Sequence, residues 1–96
     1  MRLRDTILAL RHEIQLTAAE SGARDVRIFG SVARGDERED SDIDMLVALE
    51  PGRSLLDLAR LELRLERLLG RPVDVVTELS LREPIRASAL SEAIAV

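Results

Sequence analysis

Two aspartates, Asp42 and Asp44, stand either side of Ile43 at the mouth of an apolar run, Met45-Leu46-Val47. Few patterns constrain a fold more. Along a strand, residues i and i+2 point to the same face. A strand over 42–50 therefore sends both carboxylates to one side and Ile43 to the other, into a core. Their Cα atoms should lie about 6.5–7 Å apart. Two carboxylates about 5 Å apart repel by roughly 3 kcal/mol at an effective dielectric near 20, a large fraction of a small domain's stability. That face must stay wet or meet a cation. Asp-x-Asp alone does not decide between the two, because it is also common at solvated strand ends.

The neighbouring segments place this strand in a sheet. Leu3, Ile7, Leu10, Ile14 and Ala18 recur at three- and four-residue intervals, which predicts one helix over 3–20 with Gly22 as its stop. His12 falls on the opposite, solvated face. Residues 26–30 (VRIFG) read as a short strand in which Phe29, the only aromatic residue, packs in the core. SVARG suits a short helix with Ser31 at its N-cap, and 36–41 is a polar loop. Residues 54–69 form a leucine-rich helix stopped by Gly70 and Pro72. VDVVT (73–77) is a third strand, entered at Pro72. Ser80-Leu81-Arg82-Glu83 has the form of a capping box and should open a last helix, although Pro84 sits awkwardly in its first turn. The AIAV tail either ends that helix or adds an edge strand. Helices alternating with three short strands predict an α/β (α+β) architecture. Its centre is a small mixed sheet flanked by helices, and residues 1–96 form a single domain.

The 54–69 helix carries two apolar stripes. Leu58, Leu61, Leu65 and Leu68 make one, which can cover the sheet. Leu56, Ala59 and Leu63 make another, with Glu62 and Glu66 between the two. The second stripe either lies under the last helix or marks a partner surface.

Two further features bear on the carboxylates. Asp74 stands alone between valines, and a strand aspartate needs a partner unless it reaches water. If the second and third strands are neighbours, Asp74 joins the face of Asp42 and Asp44. Gly30-Ser31 permits close backbone approach and turns the N–H groups of the following helix outward, an arrangement suited to phosphate. It lacks the Gly-Lys-Ser/Thr ending of a Walker loop. Carboxylates so spaced can reach two divalent ions about 3.5–4 Å apart, and all-oxygen ligands favour Mg²⁺ or Mn²⁺ over zinc.

Composition narrows the alternatives. There is no lysine, so Schiff-base and Walker-lysine chemistry are excluded; there is no cysteine, so neither a disulfide framework nor a thiolate site exists. A net charge of -4 and one aromatic residue argue against direct nucleic-acid binding. No apolar run approaches the roughly 20 residues of a membrane span, and the charged N-terminus has no signal-peptide core. The expected location is the cytoplasm.

Gly30-Ser31-Val32-Ala33-Arg34-Gly35, then Ser41-Asp42-Ile43-Asp44-Met45-Leu46-Val47, then Asp74 in Val73-Asp74-Val75-Val76 resembles the signature of minimal nucleotidyltransferases in the DNA polymerase beta superfamily. The resemblance spans nearly the whole chain. It implies that Gly30 and Ser31 hold the β/γ-phosphates of a nucleoside triphosphate. It further implies that Asp42 and Asp44 coordinate two Mg²⁺ ions, with Mn²⁺ a possible substitute. Asp74 would bind the catalytic metal and help activate an acceptor hydroxyl. Arg34 matches the motif's arginine and either touches phosphate or ties down the loop. Ser41 is expected to shape the turn, and Asp36, Glu37, Glu39 and Asp40 to form a solvated loop without a role.

Short members of the family act as antitoxins of HEPN-domain ribonuclease toxins. By resemblance, the chain is an enzyme, a protein adenylyltransferase. It would move AMP from ATP to a tyrosine hydroxyl of its partner, release pyrophosphate, and assemble as a hetero-oligomer. The chain has no tyrosine of its own, which fits an acceptor in trans. The competing expectation is a non-catalytic antitoxin that binds metal or nucleotide and neutralises its partner sterically. The intact Asp42, Asp44 and Gly30-Ser31 favour catalysis.

Overall fold

The computed structural model describes residues 2–96. In chain order the elements are α1 (Leu3–Ala9), α2 (Arg11–Glu20), β1 (Ala23–Phe29), α3 (Gly30–Arg34), β2 (Ile43–Leu49), α4 (Leu55–Leu69), β3 (Val73–Val76), a 3-10 turn (Glu78–Ser80), α5 (Ile85–Glu92) and β4 (Ile94–Ala95). The strands form one sheet in the order β3-β2-β1-β4. β1 runs antiparallel to both β2 and β4, whereas β2 and β3 are parallel and joined across α4. The small mixed sheet is as expected, and the tail adds the fourth, edge strand.

Side-chain alternation sorts the sheet into two faces. Ile43, Met45 and Val47 of β2 and Val73 and Val75 of β3 are buried in the main core with Ile7, Ile14, Leu61 and Leu65. The intervening Leu46 joins Phe29 and Ala89 in a smaller cluster beneath α5, on the other face. Asp44 and Asp74 alternate with the main-core residues and so share the α5 face. Phe29 is a core residue, and His12 is exposed.

Three predicted elements differ from those observed. The helix expected over 3–20 is two helices, broken at Leu10 (φ -99, ψ 14). The break lets α1 pack against α3 while α2 packs on β1 and α4, each burying its own isoleucine, Ile7 or Ile14. β1 starts three residues before the predicted 26–30, at Ala23, because a bulge between Arg24 and Arg27 shifts its alternation. Asp25 takes up the bulge at φ 53. Ser80 does not open the last helix; its hydroxyl donates to the Thr77 carbonyl at 2.8 Å and closes the 3-10 turn. α5 begins only after Pro84, which lacks an N–H and biases the preceding residue away from helix.

α4 is set by its ends and one stripe. The Ser54 side chain caps Leu56 N–H at 3.3 Å, and Asp57 Oδ2 accepts the Ser54 N–H at 2.9 Å. Gly70 closes the helix at φ 71. Leu58, Leu61 and Leu65 are buried, whereas Leu56 and Leu63 are exposed. α5 lies against α3 and β1, so the last helix does not cover the second stripe. No helix among the described residues is long and apolar enough to cross a membrane.

Candidate active site

Strand register brings the sequence-predicted residues to one end of the sheet. Phe29 at the end of β1 pairs with Asp44 at the start of β2, so Gly30 emerges beside Asp44. On the other side, Asp44 pairs with Asp74 across the parallel β2–β3 ladder. Adjacent strands are about 5 Å apart, so these two carboxylates leave neighbouring positions on one face. Asp42 lies just before β2 and is exposed; Asp44 is half-buried and Asp74 exposed.

Gly30 has φ +71, and a Cβ there would collide with Asp44 Oδ2. Glycine is therefore required twice over, by conformation and by the carboxylate packed against its backbone. Ser31 is not the N-cap. α3 starts at Gly30, and Phe29 occupies the cap position without a side-chain bond. The left-handed Gly30 turns the chain directly into helix, so Ser31 falls in the first turn. There its carbonyl accepts the N–H groups of Gly35 and Asp36 at 2.9 and 3.0 Å.

Arg34 ties the loop. Its Nε donates to Asp36 Oδ2 at 3.1 Å and its Nη1 to Glu92 Oε2 at 3.0 Å, linking α3 to α5. An open cavity of about 340 Å³ lies between these helices, lined by Phe29, Gly30, Arg34, Ile85, Ser88 and Glu92 among others. A larger one of about 610 Å³, between Gln15, Ala23 and Val96, lies at the opposite end of β1 and contacts none of the three aspartates.

The electrostatics follow from this packing. Half-burial pushes the Asp44 carboxyl above its usual range, and the charges of Asp74 and Asp42 push it further, against a smaller opposing pull from Arg34. Like charges thus converge with only partial compensation. The donors are carboxylate oxygens, which fit a hard divalent cation. Among the described residues no three carboxylate or histidine side chains close up far enough to ligate a single ion. The fit to a metal therefore rests on donor chemistry, shared face and mutual repulsion.

Four contributors were not anticipated. Arg71 Nη1 donates to the carbonyls of Arg38 and Ser41 at 3.1 and 3.0 Å, clamping the spacer loop. Ser41 itself shapes that turn as expected, accepting the Arg38 N–H at 2.8 Å. Glu37, expected to be solvated, is half-buried and accepts the Leu3 N–H at 3.3 Å, where a carboxylate complements the start of α1. Glu62 and Glu66 reach from α4 to β3, accepting the N–H groups of Val75 and Val73 at 2.8 and 3.0 Å. Burial raises the Glu62 carboxyl and the adjacent Asp74 raises it further, while the Val75 N–H opposes them. The only sequence signal for this pair was an i, i+4 acidic spacing beside a buried leucine stripe.

The nucleotidyltransferase domain family model matches residues 15–96, which include every residue of this site. Protein adenylyltransferase MntA of Thermococcus cleftensis is 45% identical over 75 residues, 78% of this chain and 76% of that protein. A solved structure assigned as a minimal nucleotidyltransferase is 53% identical. It superposes with a TM-score of 0.86 over 100% of this chain and 97% of that one. A toxin–antitoxin structure with AMP-PNP shares the fold at a TM-score of 0.67 and 21% identity, over 99% of this chain and 72% of that one.

Proposed function

The chain belongs to the nucleotidyltransferase domain family, and from that membership and the site's geometry we propose that it transfers AMP from ATP to a hydroxyl of a partner toxin, in the role of antitoxin. The acceptor is a tyrosine of a HEPN-type ribonuclease, and modification neutralises it. Residues 1–96 act as one minimal domain in the cytoplasm, engaged with the partner in a hetero-oligomer. The observation that carries the reading is the Asp44–Asp74 register beside a left-handed Gly30. That geometry supports a role for the Gly30 backbone in approaching phosphate, next to carboxylates that repel one another.

Asp42, Asp44 and Asp74 would hold Mg²⁺, which supplies charge neutralisation at the phosphates and lowers the pKa of a bound hydroxyl. The chain's own parts then have separate tasks. Gly30 lets the backbone approach the β/γ-phosphates, and Ser31 in the first turn of α3 faces them with its hydroxyl. Asp74 orients the acceptor hydroxyl and takes its proton as the oxygen attacks the α-phosphorus. The α–β bridging bond breaks, and pyrophosphate leaves with the electron pair. Arg34, fixed to Asp36 and Glu92, holds α3 against α5 at the edge of the cavity. The absence of tyrosine from this chain and the name of the Thermococcus relative support an acceptor in trans. The AMP-PNP of the toxin–antitoxin structure supports an adenine nucleotide. Exposed Leu56 and Leu63 on α4 offer apolar surface to the partner.

The reading is tested in cells that express a HEPN-type ribonuclease toxin as the candidate partner. Wild-type protein should relieve growth arrest, whereas Asp42→Ala and Asp44→Ala should not. Variants that protect as well as wild type would show that neutralisation is steric.

A further inference from the structure

The third carboxylate stands on the outermost strand. β3 pairs with β2 on one side only, so the N–H groups of Val73 and Val75 face away from the sheet. An edge strand of four residues held on one side is a poor platform for a side chain that must be placed accurately. α4 supplies the missing side. Glu66 Oε2 accepts the Val73 N–H at 3.0 Å and Glu62 Oε2 the Val75 N–H at 2.8 Å. The spacings match: i, i+4 on a helix advances about 6 Å, and i, i+2 on a strand about 6.6 Å. The residue between the two gripped amides is Asp74.

The choice of side chain is informative. Glu62 and Glu66 are half-buried and bring two more negative charges toward a region that already holds Asp42, Asp44 and Asp74. A glutamine would accept the same N–H without that penalty. A charged acceptor makes the shorter, stronger bond, so the chain tolerates repulsion for a tighter grip on β3. We propose that Glu62 and Glu66 are positioning residues, a two-point clip that holds Asp74 in register opposite Asp44. The inference rests on the transfer reading of the site, and neither glutamate is assigned contact with substrate.

The experiment has two readouts on full-length protein: amide hydrogen exchange at Val73 and Val75, followed by NMR, and steady-state label transfer from α-labelled ATP to the purified partner. The variants are Glu62→Ala, Glu66→Ala, Glu62→Gln and Glu66→Gln, each confirmed folded at the assay temperature. Wild type should protect both amides despite their place on the sheet edge. Glu62→Ala should speed exchange at Val75, and Glu66→Ala at Val73, by about tenfold or more. In both alanine variants kcat should fall about 10- to 100-fold, as a misplacement near 1 Å would cause, with KM for ATP within about twofold of wild type. The glutamine variants, which keep an acceptor, should recover most of the protection and most of kcat. Unchanged exchange in the alanine variants would overturn the clip. Faster exchange with unchanged kcat would overturn its link to Asp74, as would glutamine variants no better than alanine. No transfer by wild type, with the amides behaving as described, would instead overturn the transfer reading and the positioning role with it.

Discussion

Gly30→Ala separates the geometry of the site from the stability of the fold. Gly30 and Gly70 have the same backbone angle, φ +71. An L-residue in that region costs about 1–2 kcal/mol, so both alanine variants should lose about that much of a domain stability on the order of 5–15 kcal/mol. Their surroundings differ. A Cβ at Gly70 meets nothing within 4 Å, whereas at Gly30 it strikes Asp44 Oδ2. That oxygen is the far end of a side chain and can swing away at little energetic cost, but the swing carries the carboxylate out of its place beside Asp74. A displacement near 1 Å is enough for about 100-fold in rate. Urea unfolding should therefore give similar losses for the two variants, while transfer from α-labelled ATP falls about 100-fold in Gly30→Ala and stays near wild type in Gly70→Ala. Equal activities in the two variants would refute the argument that Gly30 is glycine in order to seat Asp44.

Two pH-dependent predictions follow from the same packing. The folded state raises the Asp44 carboxyl above its ordinary 3.8, first by burial and then by Asp74 and Asp42. The folded protein therefore binds more protons than the unfolded chain across the window from that value up to the raised one, and stability falls as pH rises through it. Asp44→Asn should flatten this limb, raise the melting temperature at pH 7 by a few degrees and abolish transfer; a lower melting temperature at pH 7 would contradict the repulsion argument. Asp57 has the opposite sign. Its carboxyl is lowered by the Ser54 N–H first and by Arg53 and Arg60 with it. Its contribution is present above the ordinary value and lost as pH falls through the depressed one. The stability gap between wild type and Asp57→Ala, followed by thermal melts, should close as pH drops below about 3.8; a gap that persists there would remove the charge from the account of the cap.

Much of the fold was legible because it is written in local alternation. Ile43, Met45 and Val47 against Asp44 and Leu46 predict two faces, and the structure buries the first set beneath the helices. The same alternation in Val73–Val76 puts Asp74 on the face of Asp44, once the parallel pairing of β2 and β3 is known. The misses lie where tertiary contacts override local pattern. The periodicity of 3–20 runs on through Leu10, but α1 and α2 pack against different elements and the helix breaks there. The Asp25 bulge hides the first three residues of β1 by disrupting their alternation. Ser80 has a partner at Thr77 that competes with helix capping, and Pro84 delays the start of α5. Glu62 and Glu66 looked like the polar gap between two leucine stripes. Their partners are backbone N–H groups on a strand edge, which no side-chain pattern reveals.

The central claim is that Asp42, Asp44 and Asp74 carry adenylyl transfer to a protein in trans. The most direct test incubates the purified partner with ATP, Mg²⁺ and this protein, and measures the partner's intact mass and the modified residue. The prediction is a gain of AMP on a tyrosine with wild type, and no gain when EDTA replaces Mg²⁺ or when Asp44→Asn or Asp74→Asn replaces wild type. A partner left unmodified by wild-type protein under these conditions, or a modification that survives in the aspartate variants, would contradict it.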